Sequence, residues 1–257
     1  MTGEAVPGRA IWRLSGKDVL TFLQGLVTND VLPLGHAPGL VWTAFLTAQG
    51  KYLADFFVIR RAGAPEGEVL LDLPEALAET TVRRLQMYRL RADVQFAPAD
   101  LHPTRGLGTA PAGALPDPRH PALGWRHYAT HKGTPPVTDW DALRVDHMIP
   151  EYPADLVPDD SYILEMAFER LNGVNFRKGC YVGQEVTARM KHKAELRKGL
   201  VRLAIDGSAA PGTPITLPDG REAGRLGSVA QGRALAHLRF DRAEGPLLAG
   251  AATLRAL

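Results

Sequence analysis

The sequence predicts an α+β protein that ends in a small antiparallel β-barrel. Up to Phe96, stretches that alternate like strands lie between short amphipathic helical segments. Beyond Arg197 the chain breaks into short strands at turn-forming residues. Between these regions, eight of the twenty prolines fall from Pro98 to Pro136, which marks a connection. With 257 residues, 45% hydrophobic and 23% charged, the composition is that of an ordinary globular chain long enough for more than one core.

Taken in order, Arg9 to Leu14 alternates as a strand. Ser15-Gly16-Lys17-Asp18 then offers a cap with an acid three residues on, ahead of a short helix carrying Val19, Leu20, Phe22, Leu23 and Leu26. Leu40 to Thr47 and Tyr52 to Arg60 flank Ala48-Gln49-Gly50-Lys51 and predict a hairpin. Glu68 to Leu73 reads as a strand. Pro74 stands where a helix starts, with Leu77, Val82, Leu85 and Tyr88 on one face, before the strand Ala92 to Phe96. The connection predicts no regular structure except near Gly124 to Ala129. Helices are expected at Asp139 to Met148, around Tyr162 to Leu171, and from Tyr181 or Val182 to Lys191. Leu200 to Ile205, Thr213 to Leu217, Gly224 to Ala230 and Ala234 to Phe240 predict the barrel strands.

A formal charge of +2 gives no global case for a polyanionic partner. The single cysteine excludes an intrachain disulfide, a zinc ribbon and a self-contained four-thiolate cluster, and points to a reducing compartment. The start of the chain lacks a basic and then apolar leader, and no run reaches the ~20 apolar residues of a membrane span. A cytoplasmic monomer without membrane contact is the expectation. Gly106-Leu107-Gly108 lacks a third glycine and gives no dinucleotide site. His147 and His192 lack spaced companions for a metal.

Chemistry concentrates at Lys178-Gly179-Cys180-Tyr181-Val182-Gly183-Gln184-Glu185. A thiol at a helix N-terminus, with Lys178, Arg177 and Arg170 nearby, has its thiolate favoured and becomes a nucleophile or metal ligand. Equally, a lone cysteine is often a small buried hydrophobe. Gly179 and Gly183 allow close backbone approach, as a ligand or a neighbouring strand requires.

This octet resembles the signature of the YgfZ family, folate-binding relatives of the glycine cleavage T-protein. Its flanks, Leu171 to Phe176 and Val186 to Arg189, look most like the branch containing the mitochondrial iron-sulfur assembly factor. Phe22 to Asp30 is similar to the family's N-terminal motif, and Arg144 to Glu151 to its Arg-x-x-x-Gly-Ile-Pro-Glu stretch, with His147-Met148 in place of the usual residues. The resemblance implies a three-lobed ring: a folate-cavity lobe (1–40 with 100–195), a second α+β lobe (41–99) and the barrel (196–257). It implies a tetrahydrofolate site lined by Gln24, Thr28, Asn29, Asp30, Arg144 and Glu151, to which the octet and its flank add Tyr181, Gly183, Gln184, Glu185 and Arg189. Cys180 with Lys178 becomes the reactive pair. Each assignment has a plainer alternative, an Asx turn at Asn29-Asp30 and an ordinary ion pair between Arg144 and Glu151.

Where the T-protein carries paired aspartates, this chain reads Ala54-Asp55, so one acid needed to manage an amine's proton is missing. The expected role is therefore an accessory protein that binds folate and assists iron-sulfur client or scaffold proteins, any transient cluster being shared with a partner. A folate-dependent one-carbon transferase using Asp55 is the rival, and an RNA-modification helper the third reading. The basic clusters Arg83-Arg84 with Arg89 and Arg91, and Arg189, Lys191, Lys193, Arg197 and Lys198, read first as solvated faces, because no aromatic platform for nucleic acid is interleaved.

Overall fold

A computed structural model describes residues 3–193 and 195–257. Contacts divide the chain into two units: one runs to Thr138 and is completed by Leu171–Gln184, the other comprises Asp139–Arg170 and Glu185–Leu257. The Lys193 side chain of the second basic cluster lies outside the described residues.

In the first unit, β1 (Glu4–Ala5), β2 (Arg9–Ser15), α1 (Val19–Gln24), β3 (Gly39–Leu46), β4 (Tyr52–Arg60), β5 (Val69–Pro74), α2 (Glu75–Tyr88) and β6 (Gln95–Pro98) follow one another. Next come β7 (His102–Gly106), β8 (Leu115–Pro116) and β9 (Trp125–Ala129). An antiparallel sheet of order β3-β4-β5-β2-β6 and a second of order β1-β7-β9-β8 result. Strand β4 is buried along nearly its whole length. Its alternate residues Ala54, Phe56 and Val58 join Leu23, Phe45 and Leu85 in the core under the helices. Each large side chain enclosed there contributes about 1.5–3 kcal/mol. Helix α2 lies on this core through Ala78, Thr81, Val82 and Leu85, the i, i+3, i+4, i+7 stripe of an amphipathic helix.

In the second unit, α3 (Trp140–Asp146) and α4 (Gln184–Lys193) accompany β10 (Lys198–Asp206), β11 (Pro214–Thr216), β12 (Glu222–Ala230), β13 (Arg233–Arg239), β14 (Leu247–Ala249) and β15 (Ala252–Ala256). Because β10 pairs with both β13 and β15, the six strands close into a barrel with no free edge, filled by Leu203, Ile215, Leu226, Leu238 and Leu254.

Four expectations are corrected. The proline-rich connection contributes β7 and β8, strands of five and two residues that accommodate Pro103 and Pro116, while β9 falls at the excepted stretch near Gly124 to Ala129. Residues 163–172 turn repeatedly instead of forming a helix: Ala167 has φ 62°, and Phe168 N donates to Ile163 O, out of step with an i to i−4 ladder. Ser15 ends β2 and does not cap α1; Asp18, the expected acid, stands at the N-cap without a side-chain cap bond, and its carboxylate accepts from Asp93 N at 2.8 Å. Helix α4 opens at Gln184, later than expected. Among the described residues, no helix is long and apolar enough to cross a membrane.

Candidate functional site

Cys180 is exposed, on the loop that leads into α4. The buried-cysteine alternative is thereby excluded. The sulfur lies four residues before Gln184, outside the first turn over which a helix dipole acts, so the dipole argument for the thiol falls away. Arg170, the third expected source of positive charge, donates to Met148 O at 2.6 Å.

Both sides of the thiol are pinned. Lys178 Nζ donates to the carbonyls of Gln24 (2.7 Å) and Val27 (2.5 Å), capping the end of α1 and the turn after it. It lies 5.1 Å from the centre of the Tyr181 ring. Burial lowers the Lys178 ammonium to about pKa 8, against a smaller upward pull from Asp30. On the other side, Tyr181 N donates to Gln184 Oε1 at 3.1 Å, and Gln184 N to Tyr181 O at 3.3 Å. Gly183 has φ 85°, and a Cβ there would stand 2.5 Å from Thr47 O, so only glycine lets the loop close on the end of β3. Lys178 thus acts as a positioning group for the loop, its ammonium directed at backbone carbonyls.

The N-terminal motif is woven into the same unit. Thr28 is fully buried, donates to Gly173 O (2.7 Å) and accepts from Ala44 N (2.9 Å). Asn29 Nδ2 donates to Trp42 O (2.8 Å) and Asn172 O (2.6 Å), while Asn29 Oδ1 accepts from Asp30 N (2.9 Å). Gln24 Nε2 donates to Asp30 Oδ1 (3.0 Å), and Gln24 Oε1 accepts from Val31 N (3.0 Å). Thr28 and Asn29 thus tie the turn after α1 to β3 and to residues 172 and 173, while Gln24 and Asp30 close that turn on itself.

Arg144 and Glu151 come together in the second unit. Arg144 is buried, with Glu151 Oε2 at 3.1 Å, Asp141 Oδ1 at 2.7 Å and Asp155 Oδ2 at 3.5 Å. Asp155 accepts from Ser228 N and Ser228 Oγ, each at 2.7 Å, which fastens this segment to β12. The Glu151 side chain keeps 36% of its surface exposed. Glu185 and Arg189 are exposed one turn apart on α4. Among the described residues, no group of three or more His, Cys, Asp and Glu is placed to hold a metal.

Sequence reasoning missed a buried charge network on the opposite face of the five-stranded sheet. Asp72 on β5 accepts from Arg9 Nε (2.6 Å), an Arg126 guanidinium nitrogen (2.7 Å) and Tyr128 Oη (2.9 Å). Arg126 stacks 4.4 Å from the Phe57 ring centre, and Arg119 pairs with Asp117 at 2.8 Å. Asp55 accepts from Trp42 Nε1 and Tyr52 Oη, both at 2.8 Å. The available signal was a single acid inside an apolar strand, as in Leu70-Leu71-Asp72-Leu73, which a buried sheet tolerates only with a partner.

Comparison with known proteins follows the same lines. The family profile described as CAF17, C-terminal beta-barrel domain, matches residues 197–257. The glycine cleavage system aminomethyltransferase T of Bartonella henselae superposes with a TM-score of 0.70 over 97% of this chain and 82% of that one; at 12% identity this shows the fold alone. The iron-sulfur cluster assembly factor IBA57, mitochondrial, of Mus musculus is 31% identical over 93% of this chain and 78% of its own length. The chain belongs to the IBA57 family. The human IBA57 protein is 30% identical with the same coverage, and the Mycosarcoma maydis IBA57 homolog 31% identical over 78% of this chain. The chain spans only 56% of that fungal relative's length. These IBA57 names correct the cytoplasmic expectation, since each describes a mitochondrial protein.

Proposed function

We propose that this chain is an accessory factor in iron-sulfur cluster assembly, in which the Cys180 thiol meets the cluster as cargo, and that it binds tetrahydrofolate in the manner of the YgfZ resemblance. The observation that carries the reading is the exposed thiol, the chain's single cysteine, held on a loop fixed by Lys178 and Gly183. The names of the IBA57 relatives support the process. One sulfur supplies one of the ~four protein ligands of an ordinary cluster, so the others come from glutathione or from the cysteines of a client or scaffold protein. No observation favours the one-carbon transferase or RNA readings; Asp55, on which the former depends, is buried against Trp42 and Tyr52.

The expected folate residues are open to a ligand only in part. In the first unit Thr28 and Asn29 use their polar groups within the fold; in the second, the partly exposed Glu151 side chain would accept from a pterin edge. When bound, tetrahydrofolate carries one-carbon units. Titrated with tetrahydrofolate, the protein is expected to show saturable quenching of tryptophan emission, weakened about tenfold by Glu151→Ala, and a flat titration contradicts folate binding. For the thiol, ferrous iron, sulfide and glutathione added to the wild type are expected to give sulfur-to-iron charge-transfer absorption. Cys180→Ser is expected to give only what a protein-free mixture gives, and an unchanged spectrum counts against the ligand role.

A further inference from the structure

Helix α2 ends in a surface that is largely exposed. Its stripe facing the sheet stops at Leu85; beyond it Met87 is 74% exposed, Tyr88 46% and Leu90 89%. Leu90 sits at φ 44°, left-handed backbone that costs a leucine on the order of 1–2 kcal/mol and turns its side chain to solvent. Between Arg83 and Arg91 the chain carries four arginines and no acid. Arg89 reaches the Val94 carbonyl at 3.5 Å. The surface therefore combines three large apolar side chains with a concentrated positive charge.

The thiol loop rests on the same edge. The Tyr88 ring meets Phe45 edge-on at 6.0 Å, and Phe45 is bridged to Val27, whose carbonyl accepts from Lys178. Leu46, the last residue of β3, and Thr47 after it are residues against which Gly183 is wedged. Gly183 is three residues from Cys180, a reach of at most about 11 Å. An ordinary protein interface covers roughly 800 Å² per partner, a patch about 30 Å across, and takes in both features.

Resting on the reading of Cys180 as a cluster ligand, we infer that the protein supplying the remaining ligands docks on the end of α2 with an acidic face. Its apolar side chains cover Met87, Tyr88 and Leu90, and its carboxylates meet the arginines. Arginines retained at an interface core and aromatic anchors beside them are the usual composition of such a contact. Nucleic acid would instead need stacking platforms spaced along a groove.

The test compares two variants in cells lacking the native gene, scored by the activity of a cluster-dependent enzyme. Arg83→Glu with Leu90→Asp and Arg91→Glu changes only exposed positions and is expected to lower restoration at least tenfold, while its glutathione reconstitution spectrum and melting curve stay wild type. Cys180→Ser is expected to lose both restoration and spectrum. Full restoration by the triple variant beside failure of Cys180→Ser overturns the docking surface and leaves the thiol reading standing. Full restoration by Cys180→Ser overturns both. A photo-crosslinker at Met87 is expected to capture the same cysteine-bearing acidic chain that disulfide trapping at Cys180 yields; capture of RNA, of lipid or of a different chain overturns the inference.

Discussion

Replacing Asp72 with alanine is expected to destabilise the N-terminal unit by about 3–5 kcal/mol in urea unfolding followed by circular dichroism, the cost of breaking a buried ion pair from one side. The substitution leaves Arg9 and Arg126 enclosed without their carboxylate, and removes the acceptor of the Tyr128 hydroxyl. Asp241→Ala, which breaks the exposed pair with Arg239, is the control and is expected to leave stability almost unchanged. Equal losses in the two variants contradict the assignment of the network as a buried brace. Burial by itself would raise the Asp72 carboxyl, but the guanidinium groups of Arg9 and Arg126 hold it below its ordinary value of 3.8. The group's folded pKa is thus depressed, so its contribution is complete above about pH 4 and is lost as pH falls through the folded value.

The network also marks where the sequence stopped being legible. Amphipathic α2, the hairpin around Gly50 and several strands of the barrel follow from periodicity and turn residues, because those patterns are local. The acids inside β4 and β5 break the apolar pattern. Asp55 is met by Trp42 and Tyr52, near it in the chain. The Asp72 partners Arg126 and Tyr128 instead stand on β9, the stretch of the connection expected to be regular but with no sign of what it pairs with. Pairing across 54 residues is not a local signal. Residues 247–256, which close the barrel as β14 and β15, are too short to stand out from the surrounding turns. At the candidate site, the thiol's motif was plain in the sequence. Its exposure was not, since a buried lone cysteine leaves the same letter. Lys178 was grouped with Cys180 by proximity along the chain, whereas its ammonium is taken up by two carbonyls that the sequence could not identify. The Arg144–Glu151 pair was legible as an alternative, but its bracing by Asp155 and Ser228 depends on the barrel.

Cys180→Ser is the second large effect expected. The side chain is exposed, so the change costs the fold little; serine's hydroxyl is a hard, poorly ionised oxygen in place of a soft thiolate donor, and forfeits the metal ligand. Other positions of the loop bear on how the sulfur is held, as Gly183 does against Thr47, but none can replace it in a chain with one cysteine. The decisive measurement is aconitase-type activity in cells lacking the native gene and expressing either the wild type or Cys180→Ser at matched levels. Activity is expected to return with the wild type and to stay at the level of the deletion with the serine variant. Full recovery with the serine variant would contradict a thiol-dependent role in cluster assembly.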